Sequence, residues 1–187
     1  MTAITCALLG LIVAVTGGLL FHRITGFQAQ RPADYAGQFP AFDLRTHLNG
    51  AIKCEGVIYG PAGRVASRFV GDFEATWDGN RGVMTEYFLY DSGTTQTRQW
   101  RLQLGNDGRI RAEADDVIGT GRGQQQGPSV NLNYTIRLPR EAGDHVLNVT
   151  DWMYLAPNGV IVNRSQFRKF GIKVAELVAT MRRVDTV

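Results

Sequence analysis

Two hydrophobic patterns divide the chain. Residues 4–21, ITCALLGLIVAVTGGLLF, run for 18 positions without a charge, and a helix of that length is about 27 Å long, close to the hydrocarbon thickness of a bilayer. A surface helix of a soluble protein shows a polar stripe, and this run shows none. Beyond Ala51 the pattern changes to alternation with period two, the signature of strands with one buried face. Over residues 98–104 the apolar face is Trp100, Leu102 and Leu104; over 129–138 it is Val130, Leu132, Tyr134, Ile136 and Leu138. Segments 51–59, 65–77, 83–90, 109–117, 145–155, 160–170 and 172–181 complete the series, the last of them also readable as the start of a helix at Val174. Turn signals separate them: Gly60-Pro61-Ala62-Gly63, Asp78-Gly79-Asn80, Asp91-Ser92-Gly93, residues 105–108, 119–128 and 139–143, Pro157-Asn158-Gly159 and Gly171.

About nine strands on short connections, with no helix long enough for a crossover, predict an all-β fold. The expected architecture is an antiparallel up-and-down, calycin/lipocalin-like β-barrel of eight or nine strands preceded by a single N-terminal transmembrane helix; a sandwich is the architectural alternative. The expected organisation is an anchor or uncleaved signal-like segment at 1–22, a linker at 23–41 containing Pro32 and Gly37, and a barrel domain at 42–187. A short helix is expected over 42–48, closed by Asn49-Gly50. A cleaved signal fits less well, because no Lys or Arg precedes Arg23 and no small-x-small site follows the apolar run. A lipoprotein signal would need a cysteine at the end of that run, whereas Cys6 stands at its beginning. Arg23 and Arg31, counted by the positive-inside rule, point the body toward the cytoplasm, a weak bias.

Composition narrows the function classes. With 44% hydrophobic residues and a net charge of +3 the chain is not disordered, and two cysteines exclude a disulfide scaffold or a zinc site built on cysteine pairs. The pI of 9.1 reflects 17 Arg and 3 Lys interspersed with acidic residues, so no nucleic-acid-binding face is expected. Charge is uneven along the body: residues 31–159 carry 13 basic and 15 acidic side chains, and 160–187 six basic and two acidic. That basic final hairpin suits either anionic headgroups or an ordinary solvated strand face.

Catalytic motifs are missing: there is no G-x-S-x-G, H-E-x-x-H or phosphate-loop lysine motif, and His22, His47 and His145 are too few and scattered for a triad or a three-histidine metal site. No cofactor or metal is expected. Gly119-Thr120-Gly121-Arg122-Gly123 lacks a following helix and reads as a hairpin connection. More informative are charges in phase with apolar faces: Glu86 with Phe88 and Tyr90, Arg98 with Trp100, Asp116 with Ile110 and Ala112, Asp151 with Leu147 and Val149, and Arg164 with Val160 and Val162. They form either an internal salt-bridge cluster or the polar end of an apolar pocket, where an arginine holds a carboxylate or phosphate. A glycosidase-like pair of Asp115-Asp116 with Asp151 is a minor alternative.

Several motifs resemble the DUF3833 family of bacterial proteins. They are Phe42-Asp43-Leu44 with Asn49-Gly50, Glu86-x-Phe88-x-Tyr90-Asp91-x-Gly93, Arg98-x-Trp100, Ala114-Asp115-Asp116-Val117-x-Gly119, Gly123, Gly127, Asp151-Trp152-Met153-Tyr154-Leu155 and Lys169-Phe170-Gly171, in the family's order from about Phe42 to Arg182. The resemblance implies a small envelope β protein without an established activity, often encoded beside fatty-acid-modifying methyltransferases. It also implies a candidate interior polar cluster of Glu86, Arg98, Trp100, Asp115, Asp116, Asp151, Trp152 and Lys169. This chain departs from the family in lacking a lipobox cysteine.

The resulting expectation is a non-catalytic, membrane-anchored, lipocalin-like protein at the bacterial inner membrane, its barrel periplasmic, binding a lipid or fatty-acyl ligand. Its expected partners are membrane lipids, that ligand or a membrane protein complex. The alternatives are a structural or assembly subunit of such a complex, and a lipid-modifying enzyme using Glu86 or Asp116.

Overall fold

The computed structural model describes residues 3–184. Ten antiparallel strands close into one barrel in chain order: β1 (Gly50–Tyr59), β2 (Val65–Asp78), β3 (Arg81–Tyr90), β4 (Thr95–Leu104), β5 (Arg109–Glu113), β6 (Gly121–Gln126), β7 (Ser129–Arg137), β8 (Val146–Leu155), β9 (Ile161–Lys169) and β10 (Ile172–Arg183). β10 pairs back onto β1, from Ile52 opposite Arg183 to Tyr59 opposite Glu176, so no sheet edge is left open. The alternation holds strand by strand. On β4, for example, Trp100 and Leu104 are buried while Gln99, Arg101 and Gln103 face solvent.

The strand count corrects the expected eight or nine. The additional strand is β6, GRGQQQ, which the sequence presents as a loop because it has no apolar face to alternate. Two of its three inward positions are glycines: Gly121 stands opposite Ala112, and Gly123 opposite Ile110 and Leu132. The close approach of β7 selects glycine at Gly123, where an added Cβ would lie 2.0 Å from the Asn131 carbonyl oxygen.

The expected anchor is also corrected. α1 spans Ala3–Ile24, but among the described residues no helix is long and apolar enough to cross a membrane. The single-pass placement at the inner membrane loses its structural basis with it. Leu8, Leu9, Leu11, Ile12 and Val13 of this helix are exposed rather than packed on the barrel. The side chains of Cys6, His22 and Arg23, on which the lipoprotein, histidine and orientation readings drew, lie outside the described residues.

Between α1 and the barrel, residues 27–42 form a strap across the outer face of the sheet. Phe27 is buried beneath the Arg164 guanidinium, 4.8 Å from its ring centroid. Tyr35 packs against Trp152 and Tyr154 at 5.5 and 5.7 Å between centroids. Gln30 Oε1 accepts hydrogen bonds from the Tyr35 and Tyr154 hydroxyls, both at 2.5 Å. The strap ends in α2 (Leu44–His47), capped at its N-terminus by Asp43, whose carboxylate accepts from the Arg45 N–H. α2 plugs one end of the barrel: Leu44 and Leu48 are buried, and Trp77 Nε1 donates to the Leu48 carbonyl at 2.7 Å. The opposite end is rimmed by the turns at 60–64, 91–94, 114–120, 138–145 and 170–171.

Candidate functional site

A cavity of about 130 Å³ lies inside the barrel. Its apolar floor sits above the α2 plug and is built by Leu48, Cys54, Phe73, Met84, Trp100, Ile110, Val130 and Met153, with Phe69, Phe88, Phe167 and Leu177 higher on the wall. On β1 and β2 the inward residues between these bulky groups are Gly56 and Gly71, over which the Phe69 and Phe73 rings lie. Among this apolar surface stand Glu86, Arg98, Tyr134, Asp151, Asn163 and Ser165.

The polar groups arrive by strand parity. Glu86 and Arg98 are register partners on β3 and β4, so both point inward from adjacent strands. The Arg98 guanidinium lies over the Trp100 ring at 4.1 Å and beside Tyr134 at 5.6 Å. Its Nε donates to Asp116 Oδ1 at 3.0 Å, from the connection between β5 and β6. Its Nη2 is buried and has no hydrogen-bond partner among the described residues. Across the cavity Asp151 accepts from the Ser165 hydroxyl at 2.9 Å and from the Asn163 side-chain amide, and Asn163 also donates to the Trp152 carbonyl at 3.1 Å.

Three carboxylates thus share this interior with one cation. Burial pushes Glu86 up to about 7, with Asp151 and Asp116 adding to the shift and Arg98 opposing it. Burial likewise pushes Asp151 up to about 6, against the hydrogen bonds from Asn163 and Ser165. Burial also raises the Tyr134 hydroxyl above its ordinary value, so it remains a neutral donor. Near neutral pH Glu86 is therefore about half protonated, and Asp151 joins it in the neutral form only below about pH 6.

A stability consequence follows for Glu86. Well below its ordinary value of 4.5 the carboxyl is protonated in folded and unfolded chains alike. As pH rises through about 7 the unfolded chain has already released its proton, and the folded protein must ionise a buried group. Wild type should therefore lose about 3 kcal/mol across that window. Glu86→Gln should remove the loss: in urea unfolding the variant exceeds wild type by about that amount at about pH 8 and matches it at about pH 4.

The structure brings Glu86, Arg98, Trp100 and Asp151 together around the cavity, pairs Asp116 with Arg98, and places three other sequence candidates elsewhere. Asp115 has a 94% exposed side chain and pairs with Arg101 on the outside, because β5 ends at Glu113 and the following turn sends only Asp116 inward. This also removes the Asp115 half of a glycosidase-like pair. Trp152 alternates with Asp151 and so faces outward; the strap, not the interior, buries it, leaving it 1% exposed. Lys169 ends β9 at the rim, with Nζ 3.1 Å from His145 Nδ1. Arg164 is likewise outside, paired with Glu176 at 2.6 Å. The inward row of β9 is Ile161, Asn163, Ser165 and Phe167, one residue out of phase with the apolar pair Val160 and Val162 that suggested the opposite face. Asn163 and Ser165 were missed for that reason, although polar residues alternating between Ile161 and Phe167 are a legible sign. Among the described residues no group of His, Cys, Asp and Glu is arranged to hold a metal ion.

Comparison with known proteins supplies the fold's relatives. The profile of DUF3833, described as a protein of unknown function, matches residues 21–183. No curated protein sequence matches the chain. Among solved structures the chain is similar to an S-type phycobiliprotein lyase, CPES, from Guillardia theta, with a TM-score of 0.55 and 10% identity over 75% of this chain and 90% of that one. It is also similar to Rv2717c from M. tuberculosis, with a TM-score of 0.56 and 13% identity over 79% of this chain and 99% of that one. At such identities the likeness is one of fold: a lipocalin-like calycin barrel.

Proposed function

The chain belongs to the DUF3833 family, and from that premise we propose that its barrel binds one compact, largely apolar ligand of the fatty-acyl or lipid class, with the polar end at Arg98. The observation that carries this reading is the buried, unpartnered Arg98 Nη2 at the wall of an otherwise apolar cavity. An orphaned buried donor is costly, and a ligand oxygen placed against it removes the cost. The volume of about 130 Å³ is near that of a cavity which admits benzene, about 150 Å³. The buried part of the ligand is accordingly a short acyl segment or a ring, and a longer chain extends through the mouth.

The charge count constrains the headgroup. Glu86, Asp116 and Asp151 already outnumber Arg98, so a carboxylate enters only if a site carboxyl or the ligand itself takes up a proton. An ester or amide carbonyl enters without that requirement. Medium-chain acids should therefore bind more weakly by up to about tenfold per pH unit above about 7, while their methyl esters should be nearly indifferent to pH. Isothermal titration of the full chain with octanoate and methyl octanoate at several pH values measures this. Arg98→Lys, which keeps the charge but loses the planar fork over Trp100, should weaken both by about tenfold without unfolding the barrel. Failure of every acyl compound to bind, or binding indifferent to Arg98→Lys, would sink the reading.

A second reading, acid–base chemistry on a bound lipid, is favoured by one observation. Glu86 is a buried carboxyl facing the cavity and held near 7, as a general base or acid requires. Its test is turnover of an acyl ester that Glu86→Gln abolishes while leaving binding intact.

A further inference from the structure

The β9–β10 hairpin ends in a two-residue turn, Phe170-Gly171, with Lys169 paired to Ile172 across it. Both turn residues have positive φ, 52° at Phe170 and 81° at Gly171. Glycine takes such a conformation freely and asparagine or aspartate tolerates it, but an aromatic side chain there is strained. Asp144 is the other described non-glycine residue with positive φ, and it is of a tolerant type. Local stability therefore does not account for phenylalanine at this position. The core does not account for it either, since Phe170 is 91% exposed and its neighbour Ile172 is 70% exposed.

The charges carried by the hairpin tip itself have one sign. Residues 164–173 hold four basic side chains and no acidic one. Arg164 and Lys173 are partly neutralised by Glu176. Arg168 braces the turn by donating to the Gly171 carbonyl at 2.9 Å. Lys169 lies beside the tip, its Nζ 5.8 Å from the Phe170 ring centroid. The hairpin stands on the rim opposite the α2 plug, at the cavity's mouth. An exposed aromatic and an aliphatic side chain projecting from a basic collar match the chemistry of a bilayer interface with anionic headgroups.

We propose that the Phe170 tip is a reversible docking finger for an anionic lipid surface, seating Phe170 and Ile172 among the acyl chains, Lys169 at the headgroups, and the barrel mouth toward the bilayer. This surface lies outside the cavity, so its role does not depend on what the cavity holds.

The test places a reporter at the tip of the full chain. Phe170→Trp should show a blue-shifted added emission, quenched by brominated acyl chains, on vesicles of phosphatidylcholine mixed with phosphatidylglycerol. Vesicles of phosphatidylcholine alone, or high salt, should reduce that signal strongly. Phe170→Asn relieves the turn and should leave the thermal midpoint equal or higher, yet lower the partition onto anionic vesicles by about tenfold. Because the fluorescence reports residue 170 itself, other parts of the chain touching the vesicle do not mimic the result. The proposal is overturned if tip emission stays that of a water-exposed indole in the presence of vesicles, whether or not protein sediments with them. It is equally overturned if the shift is the same on uncharged vesicles, or arises without vesicles and grows with protein concentration, which would assign the tip to self-association.

Discussion

Arg98→Met is expected to lower the free energy of unfolding by about 3–5 kcal/mol at about pH 8, and by much less at about pH 5. The side chain it removes is the cation facing Glu86, Asp116 and Asp151. Methionine preserves much of the apolar stem against Trp100 and so separates charge from packing. At the higher pH the variant must keep buried carboxylates ionised without compensation or protonate them against the solution. At the lower pH Glu86 and Asp151, held up to about 7 and about 6, are already neutral and need no cation. Asp116, the partly exposed member of the group, rehydrates in both conditions. Urea unfolding at the two pH values measures the difference. A loss of equal size at both would mean that Arg98 acts by packing on Trp100 and Tyr134, and the electrostatic account of the site would fail.

Gly123→Ala is expected to cost at least about 4 kcal/mol, in the exceptional class for a single methyl group. Alanine in place of a strand glycine ordinarily stabilises slightly, by narrowing the unfolded ensemble. Here the new Cβ meets the Asn131 carbonyl oxygen at 2.0 Å and the Leu132 Cα at 3.1 Å. Both are backbone atoms of β7, so no side-chain rotation relieves the clash and β6 must separate from β7. Gly121→Ala is an internal control two residues away: its nearest contact is the Tyr134 Cβ at 3.1 Å, and a shift of a few tenths of an ångström accommodates it at about 1–2 kcal/mol. Denaturant midpoints of the two variants should therefore differ widely. If they coincide, the glycines of β6 serve conformational freedom rather than interstrand approach.

The site was legible where an inward charge sat between bulky apolar neighbours of the same parity. Glu86 between Met84 and Phe88 and Asp151 between Val149 and Met153 satisfied that condition on both sides, Arg98 on its Trp100 side alone, and all three line the cavity. On β9 apolar residues occupy both faces, Val162 outside and Ile161 inside, and parity alone misassigned Arg164. Trp152 failed differently. It is nearly inaccessible as a core residue would be, but what covers it is Tyr35, more than a hundred positions earlier in the chain.

By itself the sequence determined nine of the ten strands and their meander order, because two-residue periodicity and short turns act between neighbours along the chain. It also determined the polarity of most strand faces. Only the tertiary structure decided that the sheet closes with ten strands, that α2 plugs one end, and that Glu86, Asp151 and Arg98 converge on a single cavity. Closure and convergence depend on stagger between strands far apart in sequence and on the strap laid over them. Alternation within a strand carries no record of either, because it specifies a side of the sheet and not what stands across from it.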